Sequence, residues 1–173
     1  MSPVRFLASL LLGSFVAGAT VAAPAKLSAY GADAQQISVS GLSSGAFMAV
    51  QLQVAYSRSI IGSGVIAGGP YYCAANNVLF AGICMGQVNF FPPNPKLMAD
   101  AAKSFAAAQK IDPLSNLRKR RIYIFSGTDD SIVRQPAVDA AVSFFQRLGV
   151  KGEKLKYVND IPAGHALITP NHG

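Results

Sequence analysis

The sequence is short of charge. Asp, Glu, Lys and Arg make up 13% of its 173 residues, against 51% hydrophobic. Such a composition excludes a disordered chain, and the length suffices for one domain with a core of its own. Histidine and cysteine are scarce, with two of each. Cys73 and Cys84 have no histidine close by, which argues against a zinc site. Their spacing is not that of a CxxC redox pair either. There is no internal repeat and no low-complexity tract. The formal charge of +7 would suit a nucleic-acid partner, but the basic residues are mostly scattered. Their one cluster, Arg118-Lys119-Arg120-Arg121, lacks interleaved aromatics and precedes a strand-like run. It reads as a solvated edge, and nucleic-acid binding is not expected.

What is present begins with "MSPVRFLASLLLGSFVAGATVAAPA", in which Arg5 is followed by a short apolar run and then by small residues. This is the layout of a secretory signal peptide over residues 1–25, cut after Ala25. The run is short for a membrane span, so an uncleaved anchor is the weaker reading. No cysteine stands near the cut to carry a lipid. The expected product is one domain, residues 26–173, exported to the periplasm or beyond the cell, with no stable membrane association. In such a compartment Cys73 and Cys84 are expected to pair. Closing so short a loop contributes about 3 kcal/mol in the chain-entropy model. Nothing in the pattern sets an oligomeric state.

Residues 36–40 read as a strand and residues 44–57 as a buried helix, apolar on most sides. "GSGVIAGG", from Gly62, reads as an interior strand bounded by glycines. A loop with both cysteines and "NFFPPNP" follows. Asn94-Pro95 is an N-cap with Pro at the first helical position, and Leu97, Met98, Ala101, Phe105 and Ala108 continue at helical spacing. "IYIFSG", from Ile122, is another buried strand. Pro136 opens a helix that Gly149 stops, and "KLKYV" is a last strand. The order β-α-β-α-β-α-β implies an α/β fold, a parallel sheet with flanking helices. Active sites of such sheets lie beyond the C-terminal strand ends.

Three loops there carry chemistry. Gly41-Leu42-Ser43-Ser44-Gly45 fits G-x-S-x-G between a strand and a helix, the setting of a nucleophile elbow. Ser43 is the candidate nucleophile, with glycine expected on both sides because side chains there would collide across the turn. The Ser44 backbone N–H, at the helix start, is the candidate oxyanion donor. A plain Gly/Ser turn is the competing reading. In "SGTDDSIV" both Asp129 and Asp130 qualify as the acid that orients a histidine, and Asp130 is favoured. An Asp-rich turn is the alternative there. In "DIPAGHALIT" His165 is the candidate base, since His172 lies beside the C-terminus. Ser43, Asp130, His165 is the chain order of an α/β-hydrolase triad. Such a triad hydrolyses esters through an acyl-enzyme and needs neither metal nor organic cofactor.

With these motifs, "VSGLSSGAFMAVQLQVAYS", "GVIAGGPYYC", "IYIFSGTDDSIV" and "AGHALIT" resemble the extracellular poly(3-hydroxybutyrate) depolymerases of the single-domain, circularly permuted α/β-hydrolase type. The resemblance covers nearly all of residues 26–173. It implies Ser43 as nucleophile, Asp130 as acid, His165 as base and a Cys73–Cys84 pair. It also implies a polyester or oligomeric ester as substrate. In that family further strands and an "HGC"-like segment with a second oxyanion donor follow the histidine. Here about half of that sheet is expected to be absent, so a truncated hydrolase that acts poorly or not at all on its own is one expectation. Another carboxylesterase, acting on acylated polysaccharides, and a non-catalytic hydrolase remnant are the competing functions. Tyr71, Tyr72, Phe90 and Phe91 are candidate rim residues for a polymer, with loop packing the preferred reading for each alone.

Overall fold

The structure is a computed structural model and describes residues 26–89 and 91–169. Residues 1–25, read above as a signal peptide, lie outside the described residues, as do Phe90 and His172. The chain divides into two units, Met1–Ala32 and Asp33–Gly173. The described part of the first is exposed and has no regular structure. The second holds every element that follows.

Four strands, β1 (Ile37–Leu42), β2 (Ile60–Ile66), β3 (Arg121–Phe125) and β4 (Leu155–Val158), form one sheet in the order β1-β2-β3-β4. All three pairings are parallel. The crossovers run through α1 (Ser44–Ala55), α3 (Pro95–Ala107) and α4 (Gln135–Arg147). Between β2 and α3 lies a short helix α2 (Ala81–Cys84), preceded by a 3₁₀ turn at Val78–Phe80. Strands that add in sequence order by right-handed crossovers put their helices on one face. The register agrees. Val65, Ile124 and Tyr157 share one row, and Val65 and Ile124 are fully buried among Val50, Val54, Ala141 and Phe144. The next row, Ser40, Gly64, Tyr123 and Lys156, points the other way, and Tyr123 remains 42% exposed.

The expected elements form in the expected order, with shifted ends. Asn94 caps α3 as read, its Oδ1 accepting from the N–H groups of Lys96 (3.0 Å) and Leu97 (3.3 Å). Gly149, at φ +89°, ends α4 while its N–H and that of Val150 close on Gln146 and Phe145 carbonyls. β2 begins before Gly62 and stops at Ile66 rather than running on to Gly69. Ala67 turns to φ +52° there, although its N–H still bonds the Phe125 carbonyl. α1 stops at Ala55, not at Ser57, whose hydroxyl instead donates to the Pro113 carbonyl at 3.3 Å. Among the described residues no helix is long and apolar enough to cross a membrane.

Candidate active site

The turn after β1 is a strand-to-helix elbow. Ser43 sits in it at φ 57°, ψ −121°, a conformation costly for any residue with a Cβ. Two backbone bonds hold it there: Ser43 N–H to the Ile66 carbonyl and Phe47 N–H to the Ser43 carbonyl, both 3.0 Å. Its hydroxyl does not cap α1. Gly41 is required, because a Cβ there would overlap the backbone of Gly45. Gly45 is not required for the reason expected, since a Cβ on it would meet nothing within 4 Å. The collision is one-sided: the strand residue faces the helix backbone, whereas the helix residue faces open space. Gly45→Ala should therefore fold normally and gain about 0.5–1 kcal/mol from helix entropy. Gly41→Ala should lose about 1–3 kcal/mol by overpacking. Parallel chemical melts of the two variants check this, and equal behaviour would refute the asymmetry.

The loops after β3 and β4 are laced together. Ser126 N–H bonds the Val158 carbonyl, Thr128 N–H that of Ile161, and Asp129 N–H that of Ala163, at 2.9–3.2 Å. Gly127 makes this possible, because a Cβ there would overlap the Ala163 carbonyl. The lacing brings Asp130 to His165, with Oδ2 2.9 Å from Nδ1. The Asp130 side chain is 1% exposed and that of His165 20%, so the acid is sealed while the imidazole keeps access to solvent. Asp130 Oδ1 accepts from the N–H groups of Ile132 and Val133, both at 2.9 Å. Of the two acids left open by the sequence, Asp130 is thus the one joined to histidine. Asp129 is exposed, and among the described residues its carboxylate accepts only from the Thr128 hydroxyl, at 3.2 Å. Ser43, Asp130 and His165 all lie beyond C-terminal strand ends, after β1, β3 and β4. Among the described residues no hydrogen bond joins Ser43 to His165, and such contacts are often long before substrate arrives.

Beside Ser43 opens an apolar cavity of about 500 Å³. Ser43, Ser44, Phe47 and Met48 line one side, and the loop after β2 supplies the other through Tyr72, Val78 and both cysteines. Cys73 and Cys84 are joined as a disulfide, with Cα atoms 5.7 Å apart. Titration of the unfolded, unreduced protein should find no free thiol. The Cys73→Ser, Cys84→Ser double variant should lose about 3 kcal/mol of stability. Gln51, which the sequence did not single out, fastens this loop to α1. Its Oε1 accepts from Tyr72 N–H at 3.1 Å while its Nε2 donates to the Phe47 carbonyl at 3.2 Å. Of the candidate rim residues, Tyr71 follows the packing reading preferred for it. Tyr71 is buried, stacked on Phe144 at 6.2 Å and edge-on to Phe105 at 6.4 Å, because the core beneath the loop claims its ring. Tyr72 lines the cavity and Phe91 is exposed, but among the described residues the most exposed large apolar side chains of the loop are Val78 and Leu79. Burial, and then the hydrogen bond to Asp139, push the Tyr157 phenol well above the usual tyrosine range. It stays a neutral donor, pinning the end of β4 to α4 ahead of the His165 loop. No group of three or more metal-ligating side chains occurs among the described residues.

No protein-family model matches the sequence. It is 40% identical over 156 residues to a poly(3-hydroxybutyrate) depolymerase of Delftia acidovorans, which covers 89% of this chain and 31% of that protein. A polyhydroxybutyrate depolymerase of Talaromyces funiculosus is 39% identical over 117 residues, covering 67% of this chain and 33% of its own. Among solved structures, a PHB depolymerase serine-to-alanine variant complexed with an R3HB trimer superposes with a TM-score of 0.72 at 33% identity. The match covers 82% of this chain and 42% of that one. The PHB depolymerase of Penicillium funiculosum gives 0.68 at 34% identity, covering 77% and 40%. A maize acyl-protein thioesterase, 11% identical at a TM-score of 0.50, shares the fold alone. The chain thus spans about a third of the curated relatives that it matches. Over that span, the chain has an α/β-hydrolase fold and is similar in sequence and structure to poly(3-hydroxybutyrate) depolymerases.

Proposed function

We propose that this chain carries the catalytic triad of an exported serine esterase that hydrolyses poly(3-hydroxybutyrate)-like polyesters or their oligomers. The observation that carries the reading is the buried Asp130 bonded to His165 Nδ1 at 2.9 Å, in a fold whose elbow holds Ser43. With Nδ1 engaged, Nε2 is the ring nitrogen available to the serine. His165 takes the Ser43 proton, and Ser43 Oγ attacks the ester carbonyl. The Ser44 N–H, first in α1, receives the developing oxyanion with the help of the helix N-terminus. His165 returns the proton to the departing hydroxyl end of the polymer. It then activates the water that frees the acyl group, and Asp130 stabilises the imidazolium at each stage. No cofactor enters these steps.

The cavity supports an aliphatic polyester over an acylated polysaccharide. Its walls are mostly hydrocarbon and sulfur, with Gln51, Asn76 and Asn77 as polar groups beyond the two serines, which suits short alkyl branches better than a sugar with its many hydroxyls. The R3HB trimer bound by the structural relative points the same way. The disulfide supports export, as does the leader-like segment 1–25. The test is to treat the full chain with a fluorophosphonate and locate the adduct by mass spectrometry. An adduct on Ser43 is expected, and one on Ser44 would refute the assignment. Faster release of acid from polyester film or oligomers than from acetylated polysaccharide is the expected specificity, and the reverse order would reassign the substrate.

A further inference from the structure

The loop that walls the cavity continues past Cys84 and grips the acid turn. The Met85 carbonyl accepts the Arg134 N–H at 2.9 Å. Gly86, at φ +70°, lies so close to Arg134 that an added Cβ would sit 3.2 Å from its side chain. Arg134 Nη1 donates to Asn89 Oδ1 at 3.2 Å. Between these contacts, Gln87 Nε2 donates to the Ser131 carbonyl at 2.7 Å and also to that of Ile132. The same two peptide groups are held from their other ends. The Ile132 N–H belongs to the peptide whose carbonyl is that of Ser131, and the Val133 N–H to the peptide whose carbonyl is that of Ile132. Both N–H groups donate to Asp130 Oδ1. Two peptide planes are therefore clamped between one glutamine amide and one carboxylate oxygen.

From this arrangement we infer that Gln87 is a positioning residue for the Asp130–His165 pair, acting through the Ser131–Ile132 and Ile132–Val133 peptides. Donation to each carbonyl polarises its peptide, so the N–H on the far side becomes a better donor to Asp130. It also fixes the two N–H vectors that aim Oδ2 at His165. A glutamine amide supplies two hydrogens from one nitrogen, which is what two adjacent carbonyls require. The clamp also ties the acid to the cavity wall, because Met85 lines the cavity and sits two residues upstream. A glutamine that merely secured the loop would contact any convenient carbonyls. Here the carbonyls are those of the peptides that hold the acid.

This inference rests on the triad reading above, and the experiment separates the two. Gln87→Met keeps the length and removes both donors. Gln87→Glu keeps the shape and sets an acceptor against two carbonyls. Turnover is measured per Ser43 titrated by fluorophosphonate, in the full chain. Expected is a fall in kcat of about tenfold for Met and more for Glu, with KM changed less than about twofold. The low-field proton resonance of His165 Nδ1–H, which reports the bond to Asp130, should shift or broaden in both variants. Should Gln87→Met fail to fold, Gln87→Asn reads the same resonance, since its shorter amide reaches the carbonyls poorly. The resonance needs no turnover, so a wild-type chain that hydrolyses no ester would sink the esterase reading and still decide the role of Gln87. An unmoved resonance, a loss carried by KM alone, or a loss confined to the fraction of titratable sites overturns the inference.

Discussion

On the proposed reading, Ser43→Ala should abolish fluorophosphonate labelling and lower ester turnover by about 10⁴–10⁶, because covalent catalysis is lost with the hydroxyl. The residual rate reflects binding and the helix-start donor alone. A second substitution at the same position separates chemistry from stability. Ser43 is held at φ 57°, ψ −121°, where any Cβ is strained. Gly is not, so Ser43→Gly should be as inactive as Ser43→Ala yet raise stability by roughly 1 kcal/mol. The gain is partly offset by the greater freedom of glycine in the unfolded chain. Opposite movements of activity and melting midpoint at one residue mark a site where strain is held for function. Retained turnover in either variant would remove Ser43 from the role of nucleophile.

Why the elbow could be read from sequence, and the wall of the cavity could not, has a physical reason. Strands β1 to β4 announce themselves as short apolar or glycine-bounded runs. α3 and α4 carry signals that belong to helix ends, the Asn94 cap and the Gly149 stop. Gly41 is legible because a tight turn admits no Cβ there. The pairing of Asp130 rather than Asp129 with histidine was only favoured, because adjacent aspartates in one turn differ by which way each side chain points. The loop after β2 gives no such signal. Its path depends on left-handed Ala67, Tyr72 and Ala75, residue types that do not favour that conformation. Tertiary contacts and the disulfide impose it, so which aromatic lines the cavity was not readable, although Tyr71 packs inward as the preferred reading has it. Gln51 and Gln87 were missed because a glutamine in sequence carries no mark of the carbonyl or N–H that it will meet. Each acts through a partner far along the chain: Tyr72 for the first, Ser131 and Ile132 for the second.

The sharpest discrimination within the acid loop comes from Asp130→Asn set against Asp129→Asn. In the native chain Asp130 Oδ1 is occupied by two backbone N–H groups and Oδ2 by His165 Nδ1. An asparagine has one oxygen. The two N–H groups, that of Val133 buried and that of Ile132 partly so, hold it, since leaving a buried one unpaired would cost about 1–3 kcal/mol. The amide NH₂ then faces His165, donor against donor. The imidazole relieves the conflict by carrying its proton on Nε2, and so loses the lone pair that should take the Ser43 proton. Turnover should fall by about 10⁴ with little change in KM, as expected for a histidine held in the wrong tautomer. The fold should survive, because shape and burial are conserved. Asp129→Asn alters an exposed side chain whose described partner is a neighbouring hydroxyl. It should stay within about 0.5 kcal/mol of the parent in stability and close to it in rate. If Asp129→Asn is the crippled variant and Asp130→Asn the active one, the acid has been assigned to the wrong residue of the pair. A loss shared equally between them would mean that the loop's charge matters, not its geometry.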